Sequence, residues 1–167
     1  MSYPKGKYLS KLIAKYFIYK SNEGKLGITN KKLQKLLYYS QGWSLVLYGK
    51  PMFKEDLEAW VHGPAVREIY KEYKKYGFFR IKEKISDKEI SKISAKDKTL
   101  LQDVWRVYGK YDANFLERLS HQEAPWINAR NGLEGYAISS NIISLEELNK
   151  YFSSLLDKSD ENTGTKN

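Results

Sequence analysis

The chain has 167 residues, a formal charge of +9, 14% aromatic residues and no cysteine. That length suits a single domain with a core of its own, while the missing cysteine excludes disulfides, cysteine-ligated zinc and thiol nucleophiles. No apolar run approaches the roughly 20 residues of a membrane span and the N-terminus does not read as a signal peptide, so a soluble, cytoplasmic protein is expected. The charge is uneven. Residues 1–35 hold nine lysines against one glutamate, a pattern that fits a solvated helix face, an acidic partner or nucleic acid.

Leu9, Leu12, Ile13, Tyr16 and Phe17 share one helical face, which predicts an amphipathic helix over 8–22. Thr29 is placed to cap a second helix that runs to Tyr48, with Gly49 as its stop and Pro51 barring its resumption. Apolar residues fall on more than one side of this helix, so it is predicted to be central. Residues 52–62 read as extended, with Leu57, Ala59 and Val61 facing one way and Glu58, Trp60 and His62 the other. Gly63-Pro64 reads as the opening of a third helix, with Val66, Ile69, Tyr70, Tyr73 and Tyr76 on its inner face and Gly77 at its end. FFRIKEKI (78–85) offers a strand partner for the extended piece, and DKEISKI is a short helix or a loop.

Ser94 with Asp97 marks the start of a fourth helix that stops at Gly109, and Asp112 caps a shorter one. Pro125-Trp126 opens another turn, ended by Gly132, and Ser144 with Glu147 forms a capping box for the last helix. Residues 158–167 have no apolar anchor and are expected to be disordered. The predicted fold class is therefore mainly α: one helical domain over 1–157, with six or seven helices and a small β element.

Three unusual strings stand in this frame: KLQKLLYYSQGW, EAWVHGP and SHQEAPW. Together with LLQDVWRVYGKYDANFLERL before the third and LEELNKYFSSLL after it, they resemble the Panacea domain family in collinear order over residues 8–156. That family includes SocA-like antitoxins and phage-associated proteins. The resemblance implies an antitoxin that binds a cognate toxin encoded next door, or that delivers the toxin to a protease as an adaptor. Many relatives carry a DNA-binding segment ahead of the domain; this chain opens on the domain itself, so promoter binding is not expected. Ser120-His121 stands where the family often has Thr-His, a departure that preserves the hydroxyl.

The chemistry legible in the residues is sparse. His62 and His121, with Glu58, Glu123 or Asp56, are the raw material of a two-histidine carboxylate site. The histidines lie 59 residues apart, however, and neither has an i, i+4 partner, so no metal and no other cofactor is predicted. Ser120, His121 and Glu123 are adjacent in sequence, which is not the spatial convergence a catalytic triad needs. An enzyme is not expected. Side-chain oxygens in this segment read instead as caps for the helix at Pro125.

Trp43, Trp105 and Trp126 fall in apolar stripes and read as core anchors, whereas Trp60 lies on the polar face of its strand. His62 beside it reads either as a packing histidine or as part of a recognition cluster. The predicted partner-binding residues are Glu58, Trp60, His62, Arg67, His121, Glu123 and Arg130. The alternative is a basic nucleic-acid-binding accessory protein of a phage or mobile element. In it Lys7, Lys11, Lys15, Lys20, Lys25, Lys31, Lys32 and Lys35 would track phosphates, with log K falling against log salt at a slope of about −5 for six contacts. No recognised nucleic-acid-binding motif accompanies them.

Overall fold

The computed structural model describes residues 2–164 and is built around one helix, α2 (Asn30–Tyr48). It begins where the Thr29 hydroxyl accepts from the Lys32 N–H at 3.2 Å, and it ends at Gly49 in left-handed backbone. Fourteen of its nineteen residues are buried. Its main helical neighbours are α1 (Ser10–Gly24), α5 (Ala95–Tyr108), α6 (Ala113–His121) and α8 (Leu145–Gly164). An aromatic cluster joins them, in which Tyr39 stacks on Tyr108 at 3.8 Å and Phe152 of α8 meets Tyr38 and Trp43 edge-on. Phe152 fills the space a side chain at Gly42 would need, which is how α8 lies so close to α2.

The polar residues of α2 hold the backbone that follows it. Gln41 accepts from the N–H groups of Met52 and Phe53 at 2.8 and 3.1 Å and donates to the Phe53 carbonyl at 3.0 Å. Gln34 accepts from the Val66 N–H at 2.7 Å, and Lys35 donates to the Pro64 carbonyl at 3.0 Å. Residues 52–66 are thus pinned to one helix face at three points, each satisfying a backbone group that would otherwise be buried unpaired.

Within that segment, β1 (Leu57–Trp60) and β2 (Gly63–Ala65) form a hairpin around the two-residue turn Val61-His62. A third short strand, β3 (Ile142–Ile143), pairs with the other edge of β1, giving a small antiparallel sheet in the order β2-β1-β3. Two expectations are corrected here. Gly63-Pro64 continues a hairpin rather than opening a helix: Gly63 has φ +102°, and Pro64 sits on an edge strand, where its missing N–H costs little. The helix α3 (Arg67–Tyr73) begins only after Val66 and runs into a single 3-10 turn ending at Tyr76. Residues 78–85 pair with no strand; Ile81 N–H bonds instead to the Ile28 carbonyl at 2.8 Å, and β3 takes the place foreseen for them.

The remaining helices are α4 (Asp87–Ile90), one turn long with a complete Ser86/Glu89 capping box, and α7 (Ala124–Arg130). Asp112 caps α6 as its sequence foretells, accepting from the Phe115 N–H at 2.7 Å. Ser144 likewise accepts from Glu147 N–H, but the Glu147 carboxylate is taken by Asn128 of α7 at 2.8 Å. The molecule is thus mainly α with a small sheet, as expected. Helix α8 continues through Lys158 to Gly164, where a disordered tail is expected; residues 165–167 of that tail lie outside the described residues. No helix among the described residues is long and apolar enough to cross a membrane.

Candidate interaction surface

The hairpin turn puts His62 at the surface, its side chain 74% exposed. Beneath it Glu58 and Arg67 form a two-point fork, with Nε to Oε2 at 3.0 Å and Nη2 to Oε1 at 2.7 Å. A planar guanidinium held this way is fixed in orientation as well as in charge. It lies over the Trp60 ring, 5.3 Å from its centroid, and Trp60 in turn meets Tyr70 edge-on at 5.1 Å. Glu58, Trp60, His62 and Arg67 are therefore brought together.

Two residues outside the predicted partner-binding set complete the cluster. Glu117 of α6 lies 3.0 Å from His62 Nδ1 and pairs with Lys31. Burial raises its carboxyl, but hydrogen bonds from Lys31 and His62 outweigh that and hold it below the ordinary value. Lys35 is only 2% exposed and lies in the floor of a cavity of about 310 Å³, walled by Trp60, His62, Tyr70 and Phe78. Burial pushes its ammonium down to about 7, against the opposing charge of Glu117. Gly63 makes this packing possible, since a side chain there would meet Lys35 Cε at 2.6 Å and Ser120 Oγ at 2.9 Å.

The other three predicted residues lie behind the rim. His121 stacks on Trp126 at 4.1 Å, and burial lowers its pKa, favouring the neutral ring. Glu123 is 5% exposed and accepts from Tyr39 and Tyr151 hydroxyls at 3.0 and 3.1 Å; burial raises its carboxyl to about 7 despite those bonds. Arg130 is 2% exposed, with its guanidinium over Trp126 and donating to carbonyls of Ala59, Glu134 and Ala137. The expectation that Ser120, His121 and Glu123 cap the next helix is corrected. No side chain caps α7, because Glu123 is drawn inward by the tyrosines and Ser120 bonds back to Glu117 within α6. Trp126 is buried as foreseen, donating its indole N–H to the Trp60 carbonyl at 2.7 Å.

Two further readings need correction. Tyr70, expected on the inner face of α3, is exposed at the cavity rim. The N-terminal lysines are not a free solvated face: Lys7, Lys11, Lys15, Lys20 and Lys31 are ion-paired, and Lys32 and Lys35 are buried on backbone carbonyls. Seven of the eight named as a phosphate track are thereby engaged within the molecule. The i, i+4 spacing of Lys31 and Lys35 could have marked both for the cavity, since it puts them on one side of α2. Nothing local marks Glu117 as the partner of His62, 55 residues away. Among the described residues, no three His, Asp or Glu side chains converge as a metal site.

The family described as "Antitoxin SocA-like, Panacea domain" matches residues 33–127, from the first turn of α2 to the middle of α7. A protein named Antitoxin SocA, from Caulobacter vibrioides (strain NA1000 / CB15N), is 32% identical over 115 residues, which cover 63% of this chain and 61% of that protein. The chain thus spans less than two thirds of the length of that relative. No solved structure matches it. With the match running through the hairpin, α3, α6 and the helix that carries them, the chain belongs to the SocA-like antitoxin family of Panacea domains.

Proposed function

We propose that the chain is an antitoxin-type binding protein that neutralises a cognate toxin by forming a complex with it, without catalysis. The observation that carries this reading is the family match, whose span contains Glu58, Trp60, His62, Arg67 and Glu117, the side chains that converge at the hairpin. A tryptophan with an arginine stacked on it, held beside a cavity, is the composition of an interface anchor. Glu58, Trp60, His62 and Arg67 are assigned to the contact. His121 and Arg130 support it from behind through Trp126 and the strand carrying Trp60, and Glu123 ties α2 to α8 through Tyr39 and Tyr151. The net charge of +9 would speed encounter with an acidic toxin surface more than it would strengthen the complex. Delivery of the toxin to a protease is the variant of this reading in which the toxin disappears instead of persisting in the complex.

The test is co-expression with the open reading frame adjacent to its gene, scoring growth and co-purification together. Restored growth with a stable complex is the expected result, and restored growth with loss of the toxin selects the adaptor variant. Absence of both overturns the proposal. In a stable complex, Trp60→Ala and Arg67→Ala are expected to weaken binding roughly 10- to 100-fold, as central aromatic and arginine anchors do.

A further inference from the structure

The cavity under the hairpin shares Lys31, Gly77 and Phe78 with a second cavity of about 470 Å³, also bounded by Lys32 and Arg80. Between them the chain turns at Gly77, whose φ is +57°, and presents Phe78 and Phe79 to solvent, 95% and 80% exposed. Two adjacent phenylalanines left in water forgo a large hydrophobic gain, a composition that marks a contact site. The surrounding charge is mostly positive, with Glu117, paired with Lys31, and Asp112, at the second cavity, as the acidic groups beside the two hollows. Residues 71–84 hold six Lys or Arg against Glu72 and Glu83, and Glu72 is already paired with Lys11 at 3.0 Å. In the floor of the first cavity the Lys35 ammonium bonds to the Pro64 carbonyl, held where water scarcely reaches.

Charge and exposed aromatics alone would suit an anionic bilayer, but shape decides against it. A flat lipid surface would meet the phenylalanines and leave both cavities unfilled, whereas polypeptide side chains enter such hollows. We propose that the Phe78-Phe79 turn and its two flanking cavities form a docking site for an acidic polypeptide segment anchored by bulky apolar side chains. A partner carboxylate enters beside Lys35, whose ammonium is bonded to the Pro64 carbonyl, and the apolar residue next to it packs among Phe78, Tyr70 and Trp60. This rests on the reading of the chain as a binder of a partner protein, and it supplies the chemistry of that partner's contact segment.

A random twelve-residue displayed-peptide library panned on the purified full chain tests it, with recovered peptides titrated by fluorescence anisotropy against wild type, Phe78→Ser and Lys35→Met. Phe78→Ser alters a side chain that is already in water, whereas Lys35→Met removes a buried charge together with its bond to the Pro64 carbonyl, so the fold of both variants is checked by circular dichroism and urea unfolding before binding is compared. The expected peptides carry Asp or Glu beside Phe, Leu or Trp, and bind both variants at least tenfold more weakly. The proposal is overturned if no peptides emerge, if they show no acidic excess, or if either variant binds them as wild type does. Vesicles of phosphatidylserine and phosphatidylcholine whose binding is lost in Phe78→Ser, with no acidic peptides recovered, would assign the turn to a lipid surface instead. A co-expressed toxin that binds both variants unchanged sinks this docking site and leaves the antitoxin reading standing. Acidic peptides seated at Phe78 with no toxin bound would do the reverse.

Discussion

At the scale of single residues, Gly63 is the position where the hairpin is most sensitive. Its φ of +102° disfavours any side chain, and its missing Cβ is the room into which Lys35 and Ser120 pack. Lys35 has nowhere to retreat, being buried and tied to Pro64. Gly63→Ala therefore combines backbone strain with overpacking, on the order of 3 kcal/mol of lost stability. A urea-unfolding midpoint equal to wild type would refute this account of the turn. The neighbourhood of Glu58, Trp60 and His62 was legible because strand alternation puts all three on one face. Glu123 and Arg130 were not. A charged residue in sequence is expected in water, and what draws these two inward comes from far away: Tyr39 is 84 residues from Glu123, and Ala59 is 71 from Arg130.

At the scale of elements, helices were legible and the hairpin was not, because helix ends are written locally. Thr29, Asp112 and Ser94 accept from the N–H three residues on, a contact that spacing alone predicts. Gly63-Pro64 carries no such decision, since the same pair suits a helix start or an edge strand. What settles it is Gln34 and Lys35 of α2, which bond to Val66 and Pro64. The segment 131–141 is likewise organised from outside, by Arg130, which ties Glu134 and Ala137 to the carbonyl of Ala59 in β1. Arg130→Ala strands those carbonyls and empties the space over Trp126. The expected loss is on the order of 3 kcal/mol, with faster proteolytic cleavage inside 131–141 than elsewhere. Cleavage kinetics matching wild type would mean that β3 and the loop hold themselves.

At the scale of the whole molecule, two buried groups of opposite type shape the dependence of stability on pH. Glu123 is raised from 4.5 to about 7 by burial, so between those values the folded chain keeps a proton that the unfolded chain releases. Its stabilising effect is complete below pH 4.5 and is lost as pH rises through about 7. Lys35 is lowered from 10.5 to about 7, again by burial, so its favourable contribution is complete above pH 10.5 and is lost as pH falls through about 7. Both effects leave the fold weakest near neutrality. Each shift corresponds to a few kcal/mol, at about 1.4 kcal/mol per pH unit. His121, lowered by burial, opposes Glu123 on the acid side, and the depressed carboxyls of Asp97 and Glu117 remove stability further into acid. The decisive comparison is therefore between variants. The stability of wild type relative to Glu123→Gln should fall as pH rises from 4.5 to 7, and that relative to Lys35→Met should rise from pH 7 to 10. Denaturant titrations at four pH values read both differences at once; parallel curves for wild type and either variant would mean that the corresponding group titrates in the folded chain as it does in the unfolded one.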